Sequence, residues 1–461
     1  MKKRVADDSG GWTACPDEIA EPLRQRDYVR AIAVVQQSLE VATQKFGPGN
    51  LNVASCLDVL ATLYGFNKDY AKAKQLVRRS LLIKESNLGH AHPDVAASLD
   101  RLASQFIAEE DYAKAEPLLK RSLAIREKAF GPDDPEVVTS LEYLAKIYEA
   151  QADYTKAERL LKRILAIKEK ALGPDHSDVV CCLNNLASLY TTQKNYAKAE
   201  PILKRSLAIE ETVSGPDHPN VAPILNRLAH LYETQADYAK AGAFFKRSLA
   251  IREKEYGSDS PLLTIGLERL ASIYITQKEY AKAEPLLKRS LSILEKDFGP
   301  NHPNLTNTLN SLAKLYYNQG EYAKAKPLYE QVLAVREKEF GPDHPDVARH
   351  LSWLAGIYIA QKDYAKAEHI LKRSLIIFEK ALDPDDPDVA CCFNNLASLY
   401  ATQKDYAKAE PLLKRCLAIQ EKVLGPDDPR VARSLENLAK IYRNTDQIVE
   451  AQNLEQQAAQ K

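Results

Sequence analysis

The chain of 461 residues sets 63 Lys and Arg against 63 Asp and Glu, with 45% hydrophobic residues, so no overall field draws it to nucleic acid or anionic lipid. Its apolar share is that of a folded, water-soluble protein, and no run approaches the roughly 18 apolar residues of a membrane span or the pattern of a signal peptide. Seven cysteines, an odd number that includes the vicinal pairs Cys181–Cys182 and Cys391–Cys392, argue against a disulfide framework and for reduced thiols in the cytoplasm.

Residues 1–14 are charged and contain glycine, which predicts a disordered tail. From 15 to 50 the pattern is a degenerate half-unit: Pro16 and Pro22 interrupt what would be a first helix and leave residues 28–46 as a lone cap. Beyond it, one interval governs everything. Tyr28, Tyr70, Tyr112, Tyr154, Tyr196, Tyr238, Tyr280, Tyr322, Tyr364 and Tyr406 follow one another every 42 residues with no insertion. Such self-similarity predicts a solenoid, in which each unit buries its apolar face only against its neighbours. One elongated domain is therefore expected.

Within each unit the apolar residues have helical spacing. Leu99, Leu102, Ala103 and Phe106 recur at i, i+3, i+4 and i+7, as do Leu183, Leu186, Ala187 and Tyr190, which predicts a first helix with one buried face. Tyr112, Ala115, Leu118, Leu119 and Leu123 predict a second helix with a Lys/Arg-rich outer face. Between the two, Asp111, Asn195 or Glu279 precedes the tyrosine as a residue suited to a helix start. Gly131 and Pro132 close the unit, and Asp134-Pro135 supplies an N-cap and an N1 proline for the next. Asp383 takes the glycine position once and predicts an uncomfortable turn if a left-handed residue is kept. Pro117, Pro201, Pro285, Pro327 and Pro411 fall inside second helices and predict a bend near their first turn. Nine 42-residue units span 51–428. A further unit, 429–461, ends in a polar capping helix with Ile448 at the tyrosine position.

Leu, Leu-Ala and Tyr on the first helix, with Tyr, Ala and a small residue such as Ser122 on the second, resemble the tetratricopeptide repeat. The stretches HPDVAASLDRLA (92–103), LNNLA (183–187) and EPLLKRSLAIREKAFGPDDP (116–135) are similar to the 42-residue repeats of kinesin light chains. The resemblance covers roughly residues 20–460. It implies an all-α solenoid, a right-handed superhelix of helix–turn–helix repeats, whose first helices line a concave groove that binds peptide segments of other proteins. The N-terminal heptad region of kinesin light chains has no counterpart before these repeats, so attachment to a motor is not expected.

On the mapping the resemblance implies, the position before the second leucine faces the groove. It holds Arg101, Tyr143, Asn185, Arg227, Arg269, Trp353, Asn395 and Asn437, beside Val59 and Ser311. Asparagine there would bond the backbone of an extended peptide, and the arginines suggest acidic side chains in the partner. From residue 300 on, Lys314, Arg349, Arg433, Lys440 and Arg443 oppose only Glu436 on the groove helices. Earlier, Arg101, Lys146, Arg227 and Arg269 face Asp58, Asp100, Glu142, Glu149, Glu233 and Glu268. The groove is expected to be basic toward its C-terminal half, unless these charges only solvate the surface. Trp353 would serve as a peptide anchor or pack against the neighbouring unit.

His92, His176, His218, His302 and His344 recur at one loop position, but packed helices separate them by about 8–10 Å, beyond the roughly 2 Å bonds of a shared metal. Lys120-Arg121 and its copies are each preceded by a glutamate such as Glu116, the i,i+4 pair of a solvated helix. The vicinal cysteines read as structural thiols. With no phosphate loop, metal cluster or nucleophile–base pair, the expectation is a monomeric, non-catalytic adaptor. It needs no cofactor or metal, and binds an extended or helical, acidic segment of another protein without nucleic acid or membrane insertion. The alternatives are a self-associating scaffold and, with less support, a co-chaperone that clamps a terminal carboxylate, for which only Asn395, Arg433 and Asn437 are in place.

Overall fold

The computed structural model describes residues 19–25 and 27–459; the tail expected at 1–14 lies outside them, as does the start of the 15–50 half-unit. All regular structure among the described residues is helical. The chain divides into two compact units, 1–231 and 232–461, with the boundary inside the helix Val221–Thr234. In the first unit, the short helix Ala20–Arg24 and the cap Tyr28–Phe46 precede the pairs Leu51–Phe66/Tyr70–Leu88 and Pro93–Ala108/Tyr112–Phe130. The pairs Val138–Ala150/Tyr154–Leu172 and Ser177–Thr192/Tyr196–Ser214 follow. The second unit begins its own series with Tyr238–Tyr256 and continues through Thr264–Thr276/Tyr280–Phe298, Thr306–Asn318/Tyr322–Phe340 and Pro345–Ala360/Tyr364–Ala381. It closes with Pro387–Thr402/Tyr406–Leu424 and Pro429–Asn444/Ile448–Ala459.

Local chemistry sets both ends of these helices. Asp111 accepts a hydrogen bond from the Lys114 backbone N–H, and Asn195 does the same for Lys198. Glu279 and Glu321, one methylene longer, make no such cap. At the first helices the recurrent histidines are the caps: His92 Nδ1 accepts from the Asp94 N–H at 3.1 Å and His176 from Asp178 at 3.1 Å. Their recurrence has a backbone cause, because each occupies the place held by Asp134 and Asp428 elsewhere. Second helices run unbroken through Pro117, Pro201, Pro285, Pro327 and Pro411.

Where the helices of a pair cross, Leu99, Ala103, Ala115 and Leu119 are fully buried while Leu118 and Leu123 are only partly so. Ser122 is also fully buried, its hydroxyl donating to the Ala96 carbonyl at 3.0 Å. A small hydroxyl lets two backbones approach and satisfies the one carbonyl it meets. On the outer surface, glutamates bind residues of the next unit at constant separations. Glu85 takes Arg121 at 2.5 Å, Glu127 takes Arg163 at 2.6 Å, Glu253 takes Arg289 at 2.8 Å and Glu337 takes Arg373 at 2.7 Å. Glu116 takes the Tyr148 hydroxyl at 2.8 Å and Glu368 that of Tyr400 at 2.8 Å. Glu116 also holds Lys120 at 2.7 Å, the intrahelical pair expected from spacing.

The exit turns carry strain unequally. Gly131 has φ 100° and ψ 158°, a region open essentially to glycine alone. At Asp383 the expected discomfort does not arise: the helix ends one residue sooner, and Leu382 takes the extended values φ −121°, ψ 166°. The hairpin turns inside the units do hold left-handed residues with side chains, among them Lys68, Ala152 and Lys278 at φ 58–61°, where Gly320 stands once at φ 77°. Gly131→Ala is therefore expected to cost about 1–3 kcal/mol, whereas Ala152→Gly should be neutral or stabilising by up to about 1 kcal/mol. Urea midpoints of the two variants in parallel check both signs.

Candidate functional site

The outer positions of the first helices form the candidate interface, and pockets lie along it within each unit. In the first unit, Arg101 and Tyr143 line a recess of about 620 Å³. Arg101 is not free: its Nη1 lies 2.7 Å from Asp58 Oδ2, which Lys84 Nζ also contacts at 2.6 Å. Tyr143 is half-buried, with Lys146 Nζ 5.7 Å from its ring centre, and burial raises its hydroxyl pKa. Asn185 borders a separate pocket of about 200 Å³ with Glu142, Lys146 and Glu149. Burial also raises the Glu149 carboxyl above the ordinary range. Arg227 is exposed and donates to the Asn184 carbonyl at 3.1 Å.

In the second unit, Trp353 and Asn395 share a pocket of about 390 Å³ with Tyr317 and Tyr329. The indole is 43% exposed while packing 6.1 Å from Tyr329 and 4.9 Å from His350, centroid to centroid. It thus packs against its neighbours, as one of the two expectations has it, while leaving part of its surface exposed. Tyr329 replaces a core leucine, and burial pushes its hydroxyl up to about 12. Asn437 sits in a further pocket of about 180 Å³ and lies 3.5 Å from Asn394. Arg269 and Lys314 are exposed.

Expected charges are partly consumed. Arg349 is held between Asp346 at 2.6 Å and Asp388 at 2.8 Å, and Arg443 is held by Glu455 at 2.7 Å. Only Lys314, Arg433 and Lys440 of the basic set stand without such a pair among the described residues, so the excess over Glu436 is smaller than a count of residues suggests. In the first unit Asp58 and Asp100 are buried, at 7% and 4% exposure, and are engaged by Lys84, Arg101, Arg126 and Ser140.

These two acids belong to a polar seam that the sequence reading passed over. Asp100 accepts from Ser140 at 3.0 Å and from Arg126 at 3.0 Å, and Ser122 meets Ser140 at 3.0 Å. In the same register, Asn184 bonds Ser206 at 3.1 Å, Glu268 bonds Thr308, and Ser352 meets Ser374 at 3.0 Å. Burial raises the Asp100 carboxyl pKa in spite of these partners. The signal was a polar residue always two places before the second leucine, a position that is buried or half-buried in every repeat but the last, where Glu436 is exposed.

Partly exposed N-cap aspartates behave oppositely. A hydrogen bond from the lysine three residues on lowers Asp69, Asp111, Asp153, Asp237, Asp363 and Asp405, and Arg430 lowers Asp428 to about 2. Their stabilisation is present above the unfolded value near 4 and is lost as pH falls through the depressed folded values. Urea midpoints should accordingly drop between about pH 4 and pH 2, and Asn at these caps should flatten the drop. Among the described thiols, Cys56, Cys182 and Cys416 are buried and pushed up to about 11. Cys391 is solvent-accessible yet also raised by desolvation. No group of side chains suited to a metal ion occurs among the described residues, and no described helix is long and apolar enough to cross a membrane.

Stacked helix pairs with small residues at the crossings, a capped turn within each pair and a varied outer face on the first helices define an α-solenoid. The chain belongs to the tetratricopeptide repeat family, whose model matches residues 23–86, 94–170, 147–212, 178–254, 262–338, 306–352, 346–422 and 393–460. Among solved structures it is similar to the nearly identical TPR-like repeats of a protein described as a kinesin light chain from Podosopora anserina, at 26% identity over 45% of this chain and 98% of that one, with a TM-score of 0.42. It is also similar to BtubC (BKLC) from P. vanneervenii, at 22% identity over 50% and 89% of the two chains with a TM-score of 0.42. A signal transduction ATPase with a tetratricopeptide repeat sensor from Pyrococcus horikoshii matches 79% of this chain and 54% of its own at 16% identity, with a TM-score of 0.50. No curated protein matches the chain. Proteins built from these repeats generally serve as non-catalytic protein-interaction scaffolds.

Proposed function

We propose that the chain is a cytoplasmic, monomeric adaptor that holds an extended or helical segment of another protein along its first helices, with no catalysis of its own. One contrast supports this reading: packing positions are near-identical from unit to unit and buried, whereas the position before the second leucine varies and borders pockets, as Trp353, Asn395 and Asn437 do. Asparagine side chains would bond the backbone of the segment. Arg227, Arg269 and Lys314 would meet acidic side chains, and Trp353 would anchor an apolar one.

The test is an affinity capture from the native host's lysate, comparing the wild type with a variant carrying Arg227→Glu, Arg269→Glu, Asn395→Ala and Trp353→Ala. A partner kept by the wild type and lost by a folded variant supports the reading, and its binding should weaken as salt rises. Equal retention by both proteins would sink it and direct attention to the outer helices.

A further inference from the structure

Two departures from the repeat meet at one point of the first unit. The register of residue 105 is otherwise apolar and closed, with Leu63 and Leu189 at 2% exposure and Ile147 at 0%. Gln105 stands there at 8% exposure; its Nε2 reaches only Ser104 Oγ, at 3.3 Å, and its Oε1 has no hydrogen-bond partner. Facing it, Gly65 occupies a register that holds Ile107, Glu149 and Thr191 in the following units. A Cβ on Gly65 would lie 3.0 Å from Gln105 Oε1, so the glycine clears the space that the carboxamide uses. Each departure is unfavourable alone: a buried acceptor lacks its donor, and glycine weakens a helix interior. Together they border the recess of about 620 Å³.

A second incomplete group borders the same recess. Arg126, also 8% exposed, gives Nη2 to Asp100 and Nη1 to Glu136, while its Nε has no partner. The charges around the recess already cancel: Asp58 is set against Lys84 and Arg101, and Asp100 and Glu136 against Arg126. Gln105 Oε1 lacks a donor and Arg126 Nε an acceptor; Arg101 Nη1 and Asp58 Oδ1 also complete no hydrogen bond, but their charges are already set against each other in an ion pair.

We infer that this recess is a carboxamide subsite, taking the side chain of a glutamine or asparagine in the segment bound along the first helices. A carboxamide offers N–H and C=O together, so it pairs with Gln105 in either orientation of that side chain and leaves an acceptor for the Arg126 guanidinium. A carboxylate adds an uncompensated charge to a balanced, desolvated cluster. An ammonium or guanidinium offers no acceptor. The subsite rests on the groove reading for the source of its ligand and narrows it: the acidic preference belongs elsewhere on the face, and here a neutral amide is selected.

Saturation-transfer NMR on the full chain tests this with N-acetyl-glutamine N-methylamide as probe, beside the matching glutamate and leucine derivatives. Saturable binding of the glutamine probe is expected, roughly tenfold or more tighter than either comparison. Gln105→Leu should abolish that preference while melting at or above the wild-type temperature, since it restores the residue type of the register. Gly65→Ala should weaken the probe without altering any bonding group. No saturable binding, or equal binding to Gln105→Leu, overturns the subsite. The lysate capture above does not involve Gln105, so the groove reading stands or falls separately.

Discussion

Asp100→Ala is expected to destabilise the first unit by about 3–5 kcal/mol, the cost of leaving a buried guanidinium with only the exposed Glu136 carboxylate to pair it. Asp100 and Arg126 are 4% and 8% exposed and 3.0 Å apart, and Ser140 completes the acid's bonding at 3.0 Å. The loss comes from the cation left behind and not from the missing attraction, which a double variant separates. The chain already contains an uncharged version of the pair: Ser352 and Phe378 occupy the same two registers in the second unit. Asp100→Ser with Arg126→Phe should therefore recover most of the stability lost in Asp100→Ser alone. Urea unfolding followed by circular dichroism gives the comparison, and a double variant no better than the single would show that the pair itself carries the stability. Because units couple mainly to their neighbours, the weakened region should unfold as a separate early step.

Phe393→Ala is expected to cost about 3–5 kcal/mol for a different reason, an apolar cavity. Phe393 is 2% exposed in a cluster with Leu351, Phe378, Val389 and Ile419, and the Arg415 guanidinium lies 4.6 Å from its ring centre. Its register is leucine in Leu99, Leu141 and Leu183, so Phe393→Leu should lose only on the order of 1 kcal/mol. Thermal unfolding of the two variants decides this. Equal losses would mean that the neighbours do not close around the smaller side chain.

The helix pairs were legible because apolar spacing and punctuation agree: Leu99, Leu102 and Ala103 mark one face, and Gly131 and Asp134-Pro135 mark the exit. What stayed hidden has identifiable causes. Asp58 and Asp100 were counted as groove charges because periodicity assigns charged residues to water, yet Asp58 meets Lys84 and Asp100 meets Ser140 across the packed side. The histidines were weighed as ligands when their role is local, with Nδ1 standing in for a carboxylate oxygen at a helix start. Lys68 and Lys278 gave no sign of a left-handed turn, since local backbone hydrogen bonds, such as Asp69 N–H to the Tyr64 carbonyl at 2.9 Å and Glu279 N–H to the Tyr274 carbonyl at 2.8 Å, hold an angle that composition does not favour. Of the candidate site, register alone singles out Trp353, Asn395 and Asn437, which border pockets, but the pairing of Arg101 with Asp58 and of Arg349 with Asp346 and Asp388 depends on rotamers and neighbours that no spacing reveals. Gln105 could have been found: it is one polar letter in a column of leucine and isoleucine.

The outer ladders, in which Glu85 meets Arg121, Glu127 meets Arg163 and Glu116 meets Tyr148, make the protein tolerant of a particular kind of genetic accident. Because most of these donors find an acceptor at a fixed offset in the preceding or following repeat, loss or gain of one 42-residue block inside either unit hands most of them a chemically equivalent partner, with Gln331 at the arginine register and Gly242 at the Glu116 register among the exceptions. A slip of a single residue breaks the whole series. The near-identity of residues 181–187 and 391–397 is what such unequal exchange leaves behind, and it implies that the number of repeats, and with it the length of the proposed binding face, is the property on which selection can act most cheaply.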